Sequence, residues 1–158
     1  MSAGTTVFEP TQPALHEPIT NAQFSGIVPF FTASPEFAAS LRTISRLAEL
    51  PANWDSYGSA PIQRPAIEQA VKLLVFGQMF CPLVPDIVPV AGGGIQFEWQ
   101  KENREVEIEV LPNGSMETLM VMGETMLEMK LPADRKFASV KMLLGWLDAE
   151  NPYAAATR

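Results

Sequence analysis

The sequence predicts an α+β fold. A two-layer sandwich is expected: an antiparallel meander of four to five strands, covered on one face by about three helices, in the order α-α-β-β-β-β-β-α. Three observations predict it. Ile95, Phe97 and Trp99 alternate with Gln96, Glu98 and Gln100, and Val106, Ile108 and Val110 alternate with Glu105, Glu107 and Glu109. Such period-2 patterning marks two half-buried strands. Apolar residues at helical spacing occur before these strands and again after them. Turn signals separate the apolar segments between, with Asn113-Gly114 the strongest of them.

The chain has 158 residues, of which 47% are hydrophobic and 18% charged, the balance of one globular domain long enough to bury a core. Residues 1–33 show no periodicity and are punctuated by Pro10, Pro13, Pro18 and Pro29. They read as an arm, flexible or draped on the surface, whose apolar end (Ile27, Val28, Phe30, Phe31) docks on the core. The domain spans 34–150 and a short tail 151–158.

Within the domain, Ser34-Pro35 opens a helix with Ser as N-cap and Pro in the first turn. Phe37, Leu41, Ile44 and Ala48 form its stripe, and it ends before Pro51. A second helix begins near Pro65 and runs through Ile67, Ala70, Val71 and Leu74 to about Phe80; its apolar later turns make it central. Ile87–Val90 is a short strand, and Gly92-Gly93-Gly94 bends the chain into the alternating pair. Placing Trp99 opposite Val106 and Phe97 opposite Ile108 centres that hairpin on Glu102-Asn103. A two-residue turn at Asn113-Gly114 then sets Ile108 opposite Leu119 and Val106 opposite Val121. After a turn at Gly123–Thr125 the chain returns through Leu127 and Met129. Asp134 begins a last helix with Phe137, Val140, Leu144 and Leu147 inward.

This pairing assigns an outer sheet face. Glu98, Glu107, Met120 and Glu128 fall in one row. Gln96, Glu109, Thr118 and Lys130 form the next, and Gln100, Glu105, Met122 and Met126 the third, with Lys101, Arg104 and Lys130 partly neutralising the face. Like charges set directly opposite each other destabilise a sheet, so a chain that keeps them has a use for them. Carboxylates suit a basic protein partner, and methionines supply adaptable apolar contact. The expected site is therefore Glu98, Glu105, Glu107, Glu109, Met120, Met122 and Glu128. Its expected role is that of a non-enzymatic protein-binding module: an antitoxin, inhibitor or accessory subunit. Met120, Met122 and Met126, or the segment around Phe30, could also form a homodimer interface.

A second reading concerns Asn53-Trp54-Asp55-Ser56-Tyr57-Gly58, a loop that could set Trp54, Asp55 and Tyr57 at the edge of a pocket for a small ligand or a hydrolytic reaction. The same residues suit a structural role. Asp55 or Asn53 can hold the turn, Gly58 can take positive φ, and Trp54 can plug the gap between helices and sheet. The string N-W-D-S-Y-G-S-A-P, followed downstream by G-G-G-I-Q-F-E-W and E-V-E-I-E-V, resembles a family of small, functionally uncharacterised bacterial proteins. That resemblance covers about residues 45–115. It implies a bacterial or phage origin and a fold type, and brings no activity with it.

Several function classes are poorly served. The formal charge of −7 and the lack of a basic cluster argue against direct nucleic-acid binding. No apolar run reaches membrane-spanning length, and the first residues lack a signal-peptide pattern. The single cysteine, Cys81, excludes an internal disulfide and suits a reducing compartment, so the cytoplasm is expected. The one histidine, His16, lies in the arm, leaving no nucleophile–base pair. Glu98, Glu107 and Glu128 on a flat sheet do not wrap a cation, so neither metal nor cofactor is expected.

Overall fold

The computed structural model describes residues 34–149; what the sequence suggests for the arm and the tail lies outside the described residues. Two helices, α1 (Pro35–Ala48) and α2 (Arg64–Gln78), precede five strands: β1 (Asp86–Val90), β2 (Gly94–Lys101), β3 (Arg104–Val110), β4 (Met116–Met122) and β5 (Thr125–Lys130). A third helix, α3 (Lys136–Asp148), follows. The strands form an antiparallel meander in chain order, and the helices pack on the sheet. The expected α+β order is therefore the observed one.

Local chemistry sets the boundaries. The Ser34 hydroxyl accepts the Phe37 N–H at 3.2 Å, closing the first turn of α1 with Pro35 inside it. Helix α2 buries Ala66, Ile67, Ala70, Val71, Leu73 and Leu74, as a central helix must. Its Gly77 faces the sheet and α3, where a Cβ would make ordinary van der Waals contact with the Trp99 ring (3.5 Å) and Leu144 (3.4 Å). Helix α3 starts two residues later than Asp134 suggests and has no side-chain N-cap bond. Below the helices, Ile95, Phe97, Trp99, Val106, Ile108 and Val110 are completely enclosed, with Phe97 and Trp99 stacked at 5.6 Å. These rings carry the largest share of apolar burial in so small a core.

The β2–β3 register is as expected, with Trp99 opposite Val106 and Phe97 opposite Ile108. The β3–β4 register is not. Ile108 faces Thr118 and Val106 faces Met120, one residue away from the expected pairing. The cause is Pro112. A two-residue Asn113-Gly114 loop would make Pro112 and Ser115 a hydrogen-bonded pair, and proline has no N–H to give. Instead Pro112, Asn113 and Gly114 form a three-residue loop: the Gly114 N–H donates to the Leu111 carbonyl (2.8 Å) and the Leu111 N–H to that of Ser115 (2.9 Å). Gly114 sits at φ +82°, the left-handed position such loops require. A one-residue slip exchanges the two faces of a strand. Met116, Thr118, Met120 and Met122 accordingly turn to the helix side, and Glu117, Leu119 and Val121 turn outward.

Strand β5 nonetheless keeps its expected faces. Its turn is Gly123-Glu124, with Met122 opposite Thr125 and Leu119 opposite Glu128. Glu128 and Lys130 therefore point outward, as the sequence suggests, because the β4–β5 offset compensates the β3–β4 one.

Candidate functional site

The outer face follows from this register. One row crosses the whole sheet as Asp86, Glu98, Glu107, Leu119 and Glu128. A second runs Val88, Gln96, Glu109, Glu117 and Lys130, and a third Gln100, Glu105, Val121 and Met126. Of the expected site residues, Glu98, Glu105, Glu107, Glu109 and Glu128 share this face. Met120 and Met122 do not; the Pro112 loop turns both away. Leu119, Val121 and Met126 are the apolar side chains of β4 and β5 that lie on this face instead.

Two cations expected to soften the face are also elsewhere. Lys101 and Arg104 end the β2–β3 pair on the helix side. The Lys101 ammonium donates to the Asp148 carbonyl (2.7 Å) and carboxylate (2.8 Å). Arg104 is only 7% exposed; it donates to the Trp146 carbonyl and its guanidinium lies 5.5 Å from the centre of the Trp146 ring. Cations at the last carbonyls of a helix satisfy orphan acceptors and the negative end of its dipole. Both therefore anchor α3, and Lys130 is the strand cation left on the outer face. It pairs with Glu117 at 2.9 Å, which raises its ammonium pKa above the ordinary value.

Glu98 and Glu107 are directly opposed, and the Gln96 side-chain amide donates to both (2.9 Å to Glu98, 3.1 Å to Glu107). One neutral amide thus holds two carboxylates side by side. Partial burial, then the Glu105 and Glu98 charges, push the Glu107 carboxyl above its ordinary value. Burial and the charge of Glu117 do the same to Glu109. A groove of about 410 Å³ lies here, lined by Gln96, Glu107, Glu109, Glu117, Leu119, Glu128 and Lys130 among others.

Asp86 and Glu117 are the charged members that the sequence pattern did not place on this face, and Leu119 and Val121 the apolar ones. Asp86 directly precedes the Ile87–Val90 segment, one residue outside the strand as read from the sequence. Glu117 becomes an outward residue only once Pro112 is given its place in the loop.

The 53–59 loop is braced from within. Asp55 accepts from the Tyr57 N–H (2.9 Å), the Ser59 N–H (3.2 Å) and the Ser59 hydroxyl, occupying both carboxylate oxygens. Those bonds, the Ser59 hydroxyl first, hold its carboxyl below the ordinary value. Asn53, at φ +62°, accepts from the Gly58 N–H at 2.7 Å. Trp54 is half-buried and donates to the Ala60 carbonyl (3.3 Å). Tyr57 projects from the tip, 94% exposed. Neither the outer groove nor a second cleft between α2 and the 113–116 turn is lined by Trp54, Asp55 or Tyr57.

Cys81 is buried, and desolvation pushes its thiol pKa up, as suits a packing residue. Among the described residues no group of three His, Cys, Asp or Glu side chains is placed to hold a metal ion. Among the same residues no helix is long and apolar enough to cross a membrane. No protein-family model matches the chain, and no curated protein or solved structure matches it.

Proposed function

We propose that this chain is a non-enzymatic protein-binding module, antitoxin-like, inhibitor-like or accessory-subunit-like, that docks a basic surface of a protein partner on its outer sheet face. The observation that carries the reading is the row Asp86–Glu98–Glu107–Glu128, set in a face from which Lys101 and Arg104 are withdrawn. Keeping opposed carboxylates costs a sheet stability, and a cationic partner returns that cost as attraction and as faster, salt-dependent association. Leu119, Val121 and Met126 give the same face apolar ground for a contact that excludes water. The single, buried cysteine suits a reducing compartment such as the cytoplasm.

The test is charge reversal. The double variant Glu98→Lys/Glu107→Lys should keep the wild-type circular dichroism spectrum and lose the partner recovered with the tagged wild-type protein from its native host. Undiminished recovery of that partner by the folded variant would refute the reading.

A further inference from the structure

We propose that the protein forms a two-fold dimer in which β5 pairs antiparallel with β5 of a second copy, joining the two sheets edge to edge. This goes beyond the docking face and does not rest on it. All six residues of β5 are exposed, and no strand pairs beyond it among the described residues. The Leu131 N–H donates to the Met116 carbonyl at 2.9 Å, which makes these two a hydrogen-bonded pair. Alternation along the ladder then ties Thr125, Leu127 and Met129 to β4. It aims the N–H and C=O groups of Met126, Glu128 and Lys130 at the open edge.

Within β5 the edge carries two protecting charges, Glu128 and Lys130, but no proline, bulge or inward-pointing charge. The helix side of β5 instead carries Thr125, Leu127 and Met129. The helices pack chiefly over β1, β2 and β3, so Leu127 stays 53% and Met129 38% exposed. Both charges that flank the open edge within β5, Glu128 and Lys130, lie on the outer side.

Those charges select both the occupant and the register. Antiparallel pairing across a two-fold axis matches outward residues with outward residues. An axis at Glu128 would oppose that carboxylate to itself, and one at Leu127 would leave it opposite Met126. An axis at Met129 sets each Glu128 opposite the Lys130 of the other copy, on both sides of the axis. The same two residues then exchange their free backbone bonds, and the two Met129 side chains meet on the helix side. The strand is complementary to itself in this register, which identifies the occupant as a second copy of this chain.

Sedimentation of the full chain over a concentration series tests the proposal. Wild type should sediment at twice the chain mass. Glu128→Lys and Lys130→Glu should each place like charges in opposition and weaken dimerisation at least tenfold, with unchanged circular dichroism. An equimolar mixture of the two variants should recover the dimer, because each copy then presents a pair of charges opposite in sign to the other's. Glu128→Pro, which removes an N–H aimed at the edge and none bonded to β4, should also give a folded monomer. A monomeric wild type, a dimer indifferent to these variants, or a mixture that stays monomeric would overturn the proposal.

Discussion

At the scale of single residues, the outer carboxylates work against the fold and the anchors of α3 work for it. Glu107 holds its proton more tightly in the native state than its ordinary value of 4.5 implies. For a carboxyl shifted that way, the cost to stability is complete at neutral pH, above the raised native pKa. It is relieved as the pH falls through that pKa toward 4.5. Glu107→Gln keeps an acceptor for Gln96 and removes the charge opposite Glu98. It should stabilise the protein at neutral pH by about 0.2–1 kcal/mol, and the gain should shrink toward pH 4.5, as urea denaturation at the two pH values would read. Asp55 behaves oppositely: its contribution is present above 3.8 and disappears as the pH falls through the depressed native pKa. Asp55→Ala should speed amide exchange at Tyr57 and Ser59, whose N–H groups it holds. Arg104→Ala should destabilise by about 1.5–3 kcal/mol, the worth of a hydrogen bond from a charged donor, with exchange accelerating first in the last turn of α3.

At the scale of elements, the loop between β3 and β4 decides which side chains reach the candidate site. Asn113-Gly114 reads as a two-residue hairpin if Pro112 is treated as strand, and that reading sends Met120 and Met122 outward. Giving weight to the missing proline N–H recovers the three-residue loop and the observed faces. The signal was therefore in the sequence, one residue from the strongest turn motif. The face of Lys101 and Arg104 was likewise legible, since both lie an even step from Trp99 and Val106; their attachment to α3 is a tertiary contact that no local pattern carries. Gly114→Ala tests the loop. A Cβ there would need φ +82° and would press to 3.1 Å from Gln69 and 3.3 Å from the Pro65 carbonyl. It should cost about 1–3 kcal/mol, measured as a lowered urea midpoint with an unchanged slope.

At the scale of the whole molecule, periodicity was enough for the element order, because each strand's apolar side had a single core to face. The acidic half of the site was legible for the same reason: outward residues of β2 and β3 are fixed once Phe97 and Ile108 point in. What periodicity could not supply is the extent of the helix layer, which leaves Leu127 and Met129 uncovered although they lie on the inner side. The core itself has little margin. Trp99→Ala would empty a fully enclosed site, at about 3–5 kcal/mol, a large part of the 5–15 kcal/mol typical of a domain; its thermal midpoint should fall steeply.

Docking of a basic partner on the outer acidic face is tested most directly by amide chemical-shift mapping. The recovered partner would be titrated into the isotope-labelled protein. Saturable shifts centred on Gln96, Glu98, Glu105, Glu107, Glu109, Glu117 and Glu128 are expected, weakening as salt is raised. Shifts centred instead on residues 53–59, or confined to the β5 edge, would contradict it.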